Sequence, residues 1–232
     1  MPAPLDTAYR ALVIGASGAI GSAFVLALLQ DAHYGHVQRV SRSNGGFDLR
    51  DTTTIASAAR DCASAGPYQL IVDATGALTI DGIGPEKSLA AVDPEQFAKA
   101  FAVNATGPLV VLRHFAPQLA AGPAVYAKLS ARVGSISDNH KGGWYSYRAS
   151  KAALNMLLQT AAIELQRKNP QLRVVALQPG TVRSRLSQPF SGNVPFLLEP
   201  QESVAGMLAA LGQLQNRQGA HFVDYRGEDI PW

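Results

Sequence analysis

The chain has 232 residues, 47% of them hydrophobic and 16% charged, with 21 Gly and 14 Pro, a composition that excludes a disordered tract or a collagen-like repeat. Its 20 basic and 17 acidic side chains leave a net charge of +3, and the basic residues are scattered singly from Arg10 to Arg226, so no stripe for nucleic acid or anionic lipid is visible. Cys62 is the lone cysteine, which excludes an intrachain disulfide and a cysteine-rich zinc module and fits a reducing, cytoplasmic setting.

In chain order, the first signal is an uncharged run over residues 11–29, long enough to span a bilayer. Gly15, Gly18 and Gly21 interrupt it between a β-branched stretch and a Leu/Ala stretch, which predicts strand, tight turn and helix rather than a span. Asp6 beside Arg10, with no clean cleavage site before Asp31, also argues against a secretory leader. Further strand-length apolar runs at 37–40, 70–73, 125–130, 174–178 and 221–223 follow the one at 11–14. They alternate with helical segments at 19–30, 52–65, 93–119, 146–167 and 200–214. Such alternation predicts a doubly wound α/β fold of about seven parallel strands, with residues 1–232 forming one domain. Helices 93–119 and 146–167 carry more apolar residues than one face needs, among them Leu109, Val110, Met156 and Leu157. A second copy of the chain is therefore expected against them, giving a homodimer or homotetramer.

Gly15, Ser17, Gly18, Ala19, Ile20 and Gly21 follow the first strand and open a helix. Glycines at this spacing permit a tight turn, close approach of a pyrophosphate and close helix packing, and the helix N-terminus offers free N–H groups to phosphates. A plain glycine-rich turn is the bland alternative. The tip of the second strand reads Ser41, Arg42, Ser43 with no carboxylate, which favours NADP(H) over NAD(H). Arg42 is the candidate ligand of the 2′-phosphate and the two serines are candidate hydroxyl donors; the alternative is a solvated loop arginine. Asp48 and Leu49 are candidates for the adenine edge. His33 and His36 lack a third ligand motif and read as loop histidines, so no metal is expected.

Tyr147 and Lys151 stand four apart at the start of a helix, on one face. A cation about 4 Å from a phenol, at an effective dielectric of about 20, contributes about 4 kcal/mol, roughly three pKa units. A tyrosine lowered in this way exchanges protons near neutral pH with a carbonyl oxygen or a hydroxyl. An amphipathic surface pair is the alternative. Trp144 and Tyr145, just before, either face a substrate or pack the loop.

The Tyr147/Lys151 pair, the glycine loop and the alternating pattern together resemble the short-chain dehydrogenase/reductase family, over essentially the whole chain. The resemblance implies a Rossmann-type sheet. It implies that Asn104 supports a water leading to Lys151, that Pro179, Gly180, Val182 and Ser184 cradle a nicotinamide carboxamide, and that Ala74, Thr75 and Gly76 line the nucleotide. Residues 130–135, the loop running to Gly142 and Tyr147, and the ending 224–232 narrow it to the C-factor and sniffer-like carbonyl reductase subgroup. Three departures stand out. Ala19 occupies a position where the common loop has glycine, Asp73 opens the segment where the family has Asn-Asn-Ala-Gly, and Ala131 holds the place of the catalytic serine. Ser130 and Ser135 compete for that role, with Ser135 slightly preferred because its loop is not bound by strand alternation. The implied activity is hydride transfer between NADP(H) and a small or medium carbonyl or alcohol, with Tyr147 as general acid/base. The alternatives are a nucleotide-binding signalling protein on the same scaffold, or an NADP-dependent epimerase or dehydratase. Residues 185–199, with Phe190 and Phe196, are expected to form a lid over an uncharged, partly apolar substrate.

Overall fold

The structure, a computed structural model, describes residues 9–43, 45–184 and 197–232. Most of the segment expected to form a lid lies outside the described residues. Six strands build one sheet: β1 (Tyr9–Ile14), β2 (Tyr34–Val40), β3 (Leu70–Asp73), β4 (Ala124–Leu129), β5 (Leu172–Gln178) and β6 (His221–Asp224). Their order is β2-β1-β3-β4-β5-β6 and every pairing is parallel. The expected seven strands are thus six among the described residues. A parallel neighbour needs a crossover of a dozen or more residues, and the stretch from Ser41 to Asp51 is too short to hold both a crossover and a strand. Instead it turns directly into a helix.

Alternation along the strands splits the core in two. Leu12, Ile14, Ile71, Tyr126, Val174 and Phe222 pack on one face against α2 (Thr52–Cys62), α4 (Gly107–Phe115) and α5 (Tyr145–Gln166). Ala11, Val13, Leu70, Val72, Val175 and Val223 pack on the other against α1 (Ala19–Gln30) and α6 (Pro200–Gln213). Burial on both faces is why these strands read as continuous apolar runs. Phe24 and Leu28 of α1 are fully buried, and each contributes about 1.5 to 3 kcal/mol relative to exposure. Asp51 caps α2 through the Thr53 N–H at 2.8 Å. Glu199 and Glu202 form a capping box at the start of α6.

The uncharged run of residues 11–29 is divided between β1, a turn and α1, and among the described residues no helix is long and apolar enough to cross a membrane. The expected helix 93–119 is broken. It runs as α3 (Pro94–Phe101), a π-helical turn at Ala102–Thr106, then α4, with a 3-10 turn at Ala116–Gln118. Pro108 has no N–H for the Asn104 carbonyl, and the Gly107 N–H bonds instead to the Ala102 carbonyl, one residue further back than in an α-helix.

Two of the three loop glycines are dictated by the protein itself. Gly15 has φ +82°, and a Cβ on Gly21 would lie 2.1 Å from the Gly15 carbonyl oxygen. Gly18 differs: its φ is −75°, and a Cβ there would meet that same oxygen at an ordinary 3.4 Å. Gly21→Ala is therefore expected to destabilise by about 3 kcal/mol, the upper end of overpacking costs, and Gly18→Ala by less than about 1 kcal/mol. Urea unfolding midpoints of the two variants check this; equal losses would refute the assignment.

Candidate active site

In a parallel sheet the loops after each strand gather at its carboxyl edge. The Gly15 loop follows β1, Ser41 follows β2, Ala74 follows β3, Ser130 follows β4 and Pro179 follows β5. Connections from β1 and β3 leave in opposite directions along the sheet, so a crevice opens between them, and the Gly15 loop lies against Ala74 and Thr75 there.

The π-helical turn places Asn104 in this crevice, buried. Its Oδ1 accepts from the Ala77 N–H at 2.9 Å and its Nδ2 donates to the Ala77 carbonyl at 2.8 Å. A Cβ on Gly76, whose φ is +139°, would fall 3.3 Å from Asn104 Oδ1 and 3.5 Å from Lys151 Nζ. Gly76, Asn104 and Lys151 therefore meet at one point, brought together from the loop after β3, the π turn and α5. Lys151 donates to the Leu129 carbonyl at 3.2 Å, and its Nζ lies 5.7 Å from the centre of the Tyr147 ring. Gly134 lets the loop after β4 rest on α5, since a Cβ there would lie 2.8 Å from the Lys151 backbone carbon.

The electrostatics differ from the expectation of a lowered tyrosine. Burial pushes Tyr147 up to about 12. Burial, reinforced by the Lys128 charge and opposed by Asp73, brings Lys151 down to about 7. A lysine that has itself lost charge through desolvation does not depress its neighbour in the way a full cation does.

Both candidate serines are buried. Ser130 donates its hydroxyl to Asn155 Oδ1 at 2.6 Å, one turn beyond Lys151 on α5. Ser135 Oγ accepts from the Asp138 N–H at 3.1 Å, a bond that does not use the serine proton. Arg42 is exposed at the tip of β2, and Ser41 and Ser43 hydroxyls lie 3.0 Å apart beside it. Asp48 holds Arg50 at 3.3 Å, which keeps its carboxyl below the usual range, and Leu49 places its carbonyl against Gly107. Gly180, with φ +77°, fits under Leu198 and Tyr225, and the Pro179 carbonyl accepts from Ser203 Oγ at 2.6 Å. Val182 is buried and bridges to Leu198, with Ser184 partly exposed beyond it. Ser17 and Gly18 are exposed at the mouth of the loop, with Ala19 and Ile20 half-buried behind them.

Two features escaped the sequence. Lys128, the next-to-last residue of β4, is wholly buried and bonds Asp73 Oδ1 at 3.1 Å, the Thr75 carbonyl at 2.6 Å and Thr75 Oγ1 at 3.1 Å. It supplies the partner that Asp73 needs where the family pattern has asparagine. Its signal was a single charge inside an apolar strand. The second is Glu86. Its carboxylate accepts from the Ser146 N–H and hydroxyl, both at 2.9 Å, and its main-chain carbonyl accepts from the Trp144 N–H. Glu86 thereby caps α5 from a distant loop, where the local cap residue, Trp144, has a left-handed backbone (φ 55°) and no side-chain acceptor. The Trp144 ring stands edge-on to Tyr147 with centroids 6.1 Å apart.

A model of the short-chain dehydrogenase family matches residues 45–194. C-signal of Myxococcus xanthus is 33% identical over 168 residues, 72% of this chain and 94% of that protein. The 1-hydroxy-2-glutathionyl-2-methyl-3-butene dehydrogenase of Rhodococcus sp. is 28% identical over 188 residues, covering 81% and 79% of the two chains. Among solved structures, an NADPH-bound carbonyl reductase from chicken fatty liver superimposes with a TM-score of 0.82 at 23% identity, covering 97% of this chain and 94% of that one. The carbonyl reductase Sniffer of D. melanogaster gives 0.82 at 20% identity, covering 97% and 100%. The fold is theirs, and by its own sequence the chain belongs to the short-chain dehydrogenase family.

Proposed function

We propose that this protein is an NADPH-dependent reductase of small or medium carbonyl compounds, with Tyr147 as the proton donor. The observation that carries the reading is the meeting of Gly76, Asn104 and Lys151 beside Tyr147, next to a glycine loop whose Gly18 no contact within the protein requires. An open glycine at a helix N-terminus fits a pyrophosphate pressed against the backbone. Gly15, Ser17, Gly18, Ala19, Ile20 and Gly21 hold the diphosphate. Ser41, Arg42 and Ser43 hold the 2′-phosphate, and Asp48 and Leu49 border the adenine. Ala74, Thr75, Gly76 and Asn104 line the inner ribose, with Pro179, Gly180, Val182 and Ser184 around the carboxamide. Bound there, the dinucleotide supplies a hydride to the carbonyl carbon.

A phenol held at about 12 is protonated at neutral pH, which suits donation to the carbonyl oxygen, the reductive direction. Lys151, near 7, carries charge in a good fraction of molecules and stabilises the phenolate that remains. Ser130 already donates its proton to Asn155, so Ser135 is the better donor to the substrate oxygen. A nucleotide-binding signalling role requires no such proton-transfer pair, and neither does a bare scaffold. Copies of the chain meet through α4 and α5, where Met156 is exposed and Leu109, Val110 and Leu157 are only partly covered. Light scattering at micromolar concentration is expected to give a dimer or tetramer; a monomer would remove this part of the proposal.

NADPH is expected to bind more tightly than NADH. Arg42→Ala loses one charge-assisted phosphate contact, about 1.5 to 3 kcal/mol, or tenfold or more in NADPH affinity, and leaves NADH binding unchanged. Titration of both reduced cofactors decides the point, and unchanged NADPH affinity in the variant would contradict it. Tyr147→Phe is expected to abolish carbonyl turnover with cofactor affinity intact. Ser135→Ala is expected to slow turnover by a factor on the order of 10² to 10³, more than Ser130→Ala does. Substantial activity in the phenylalanine variant would mean that another group donates the proton.

A further inference from the structure

Asp73 and Lys128 form a buried ion pair that the reaction above does not use. Both side chains are wholly buried, on adjacent strands, and both point to the sheet face covered by α5. Lys128 Nζ also grips the loop after β3, at the Thr75 carbonyl and hydroxyl, while Asp73 accepts from the Thr75 N–H and from the Tyr126 hydroxyl. One residue on, Gly76 is the wall against Lys151 Nζ.

We propose that the Asp73–Lys128 pair is a positioning device for Lys151: it clamps the 74–76 loop beside the Lys151 ammonium and sets the electric field in which that ammonium and Tyr147 exchange charge. This rests on the reading of Tyr147 and Lys151 given above. A buried ammonium on a central strand is retained only where oxygens surround it, and Lys128 has them from Asp73 at the end of β3 and Thr75 in the loop that follows. The charged and titratable groups around Lys151 are Tyr147 on its own helix, Lys128 from β4 and Asp73 from β3, with Tyr126 behind Asp73. The π turn and the loop after β4 contribute the neutral Asn104 and Gly134. Lys128 disfavours the charged form of Lys151 and Asp73 favours it, the lysine having the larger effect.

The consequence is a pair of opposite displacements. Removing the cation with Lys128→Met favours charged Lys151 and disfavours the tyrosinate, so the alkaline limb of the kcat/KM profile moves up by about one pH unit. Removing the anion with Asp73→Asn leaves Lys128 unopposed and moves the limb down by a similar amount. The limb reports the Tyr147/Lys151 couple as a whole. A lone buried charge can prevent folding, so the neutral double variant Asp73→Asn/Lys128→Met provides a second reading; its limb moves up, by less than that of Lys128→Met. Circular dichroism and a cooperative thermal unfolding transition confirm that each variant tested is folded. Displacements in these directions support the proposal. An unmoved limb in every folded variant, or displacement of both single variants in the same direction, overturns it and leaves the pair a structural element alone. Failure of the underlying reading has a separate signature, turnover in Tyr147→Phe.

Discussion

Two ammonium groups, those of Lys128 and Lys151, are buried within one small region between β3, β4 and α5. Burial disfavours both charges, and each also disfavours the other, so the region holds together only because oxygen atoms are placed around them. Asp73 and Thr75 serve Lys128, and the Leu129 carbonyl serves Lys151. This requirement explains much of the local architecture. It fixes the chain direction after β3, brings Gly76 against Lys151, and makes the end of β4 expose a carbonyl toward α5 while Gly134 lets the following loop lie flat on the helix. A buried pair of this kind is weak evidence for stability, because a well-packed apolar replacement does as well. On the proposal made above, the pair acts instead through the loop it holds, which sets Gly76 against Lys151.

The remaining parts of the site are set by backbone geometry rather than by charge. Gly15 and Gly21 are required for α1 to start where it does, and the π turn at Ala102–Thr106 turns Asn104 inward because Pro108 cannot complete an ordinary helical bond. Glu86 holds the first turn of α5 from outside the helix, so the backbone next to Tyr147 is fixed by a segment sixty residues earlier in the chain. Three loops and one helix end thus define the crevice.

Much of this was legible in the sequence. Apolar runs located the six strands seen among the described residues, and in the five other than the largely exposed edge strand β2 burial on both faces leaves no polar alternation to confuse them; the glycine spacing and the Tyr147/Lys151 interval pointed to the crevice. The alternation led to an expectation of about seven strands, and the stretch from Ser41 to Asp51 between β2 and α2 has no room for a crossover and a further strand. The role of Lys128 is not legible in the sequence because the meaning of a charge in an apolar strand depends on a partner, and Asp73 is 55 residues away in the chain. Glu86 carried no signal at all, since its loop reads as ordinary polar connection. The expected depression of the Tyr147 pKa failed for a physical reason. Burial of the phenol itself raises it, and the same desolvation lowers Lys151, weakening the cation that was expected to oppose it.

Hydride transfer from NADPH to a carbonyl carbon can be followed by isotope tracing. The enzyme is incubated with NADPH carrying deuterium at the transferable C4 position of the nicotinamide and with a panel of aldehydes and ketones, and the products are analysed by mass spectrometry. The expected product is an alcohol bearing one deuterium at the former carbonyl carbon, formed in step with oxidation of the cofactor. Tight binding of NADPH with no cofactor oxidation across the panel, or product formed without the label, would contradict it.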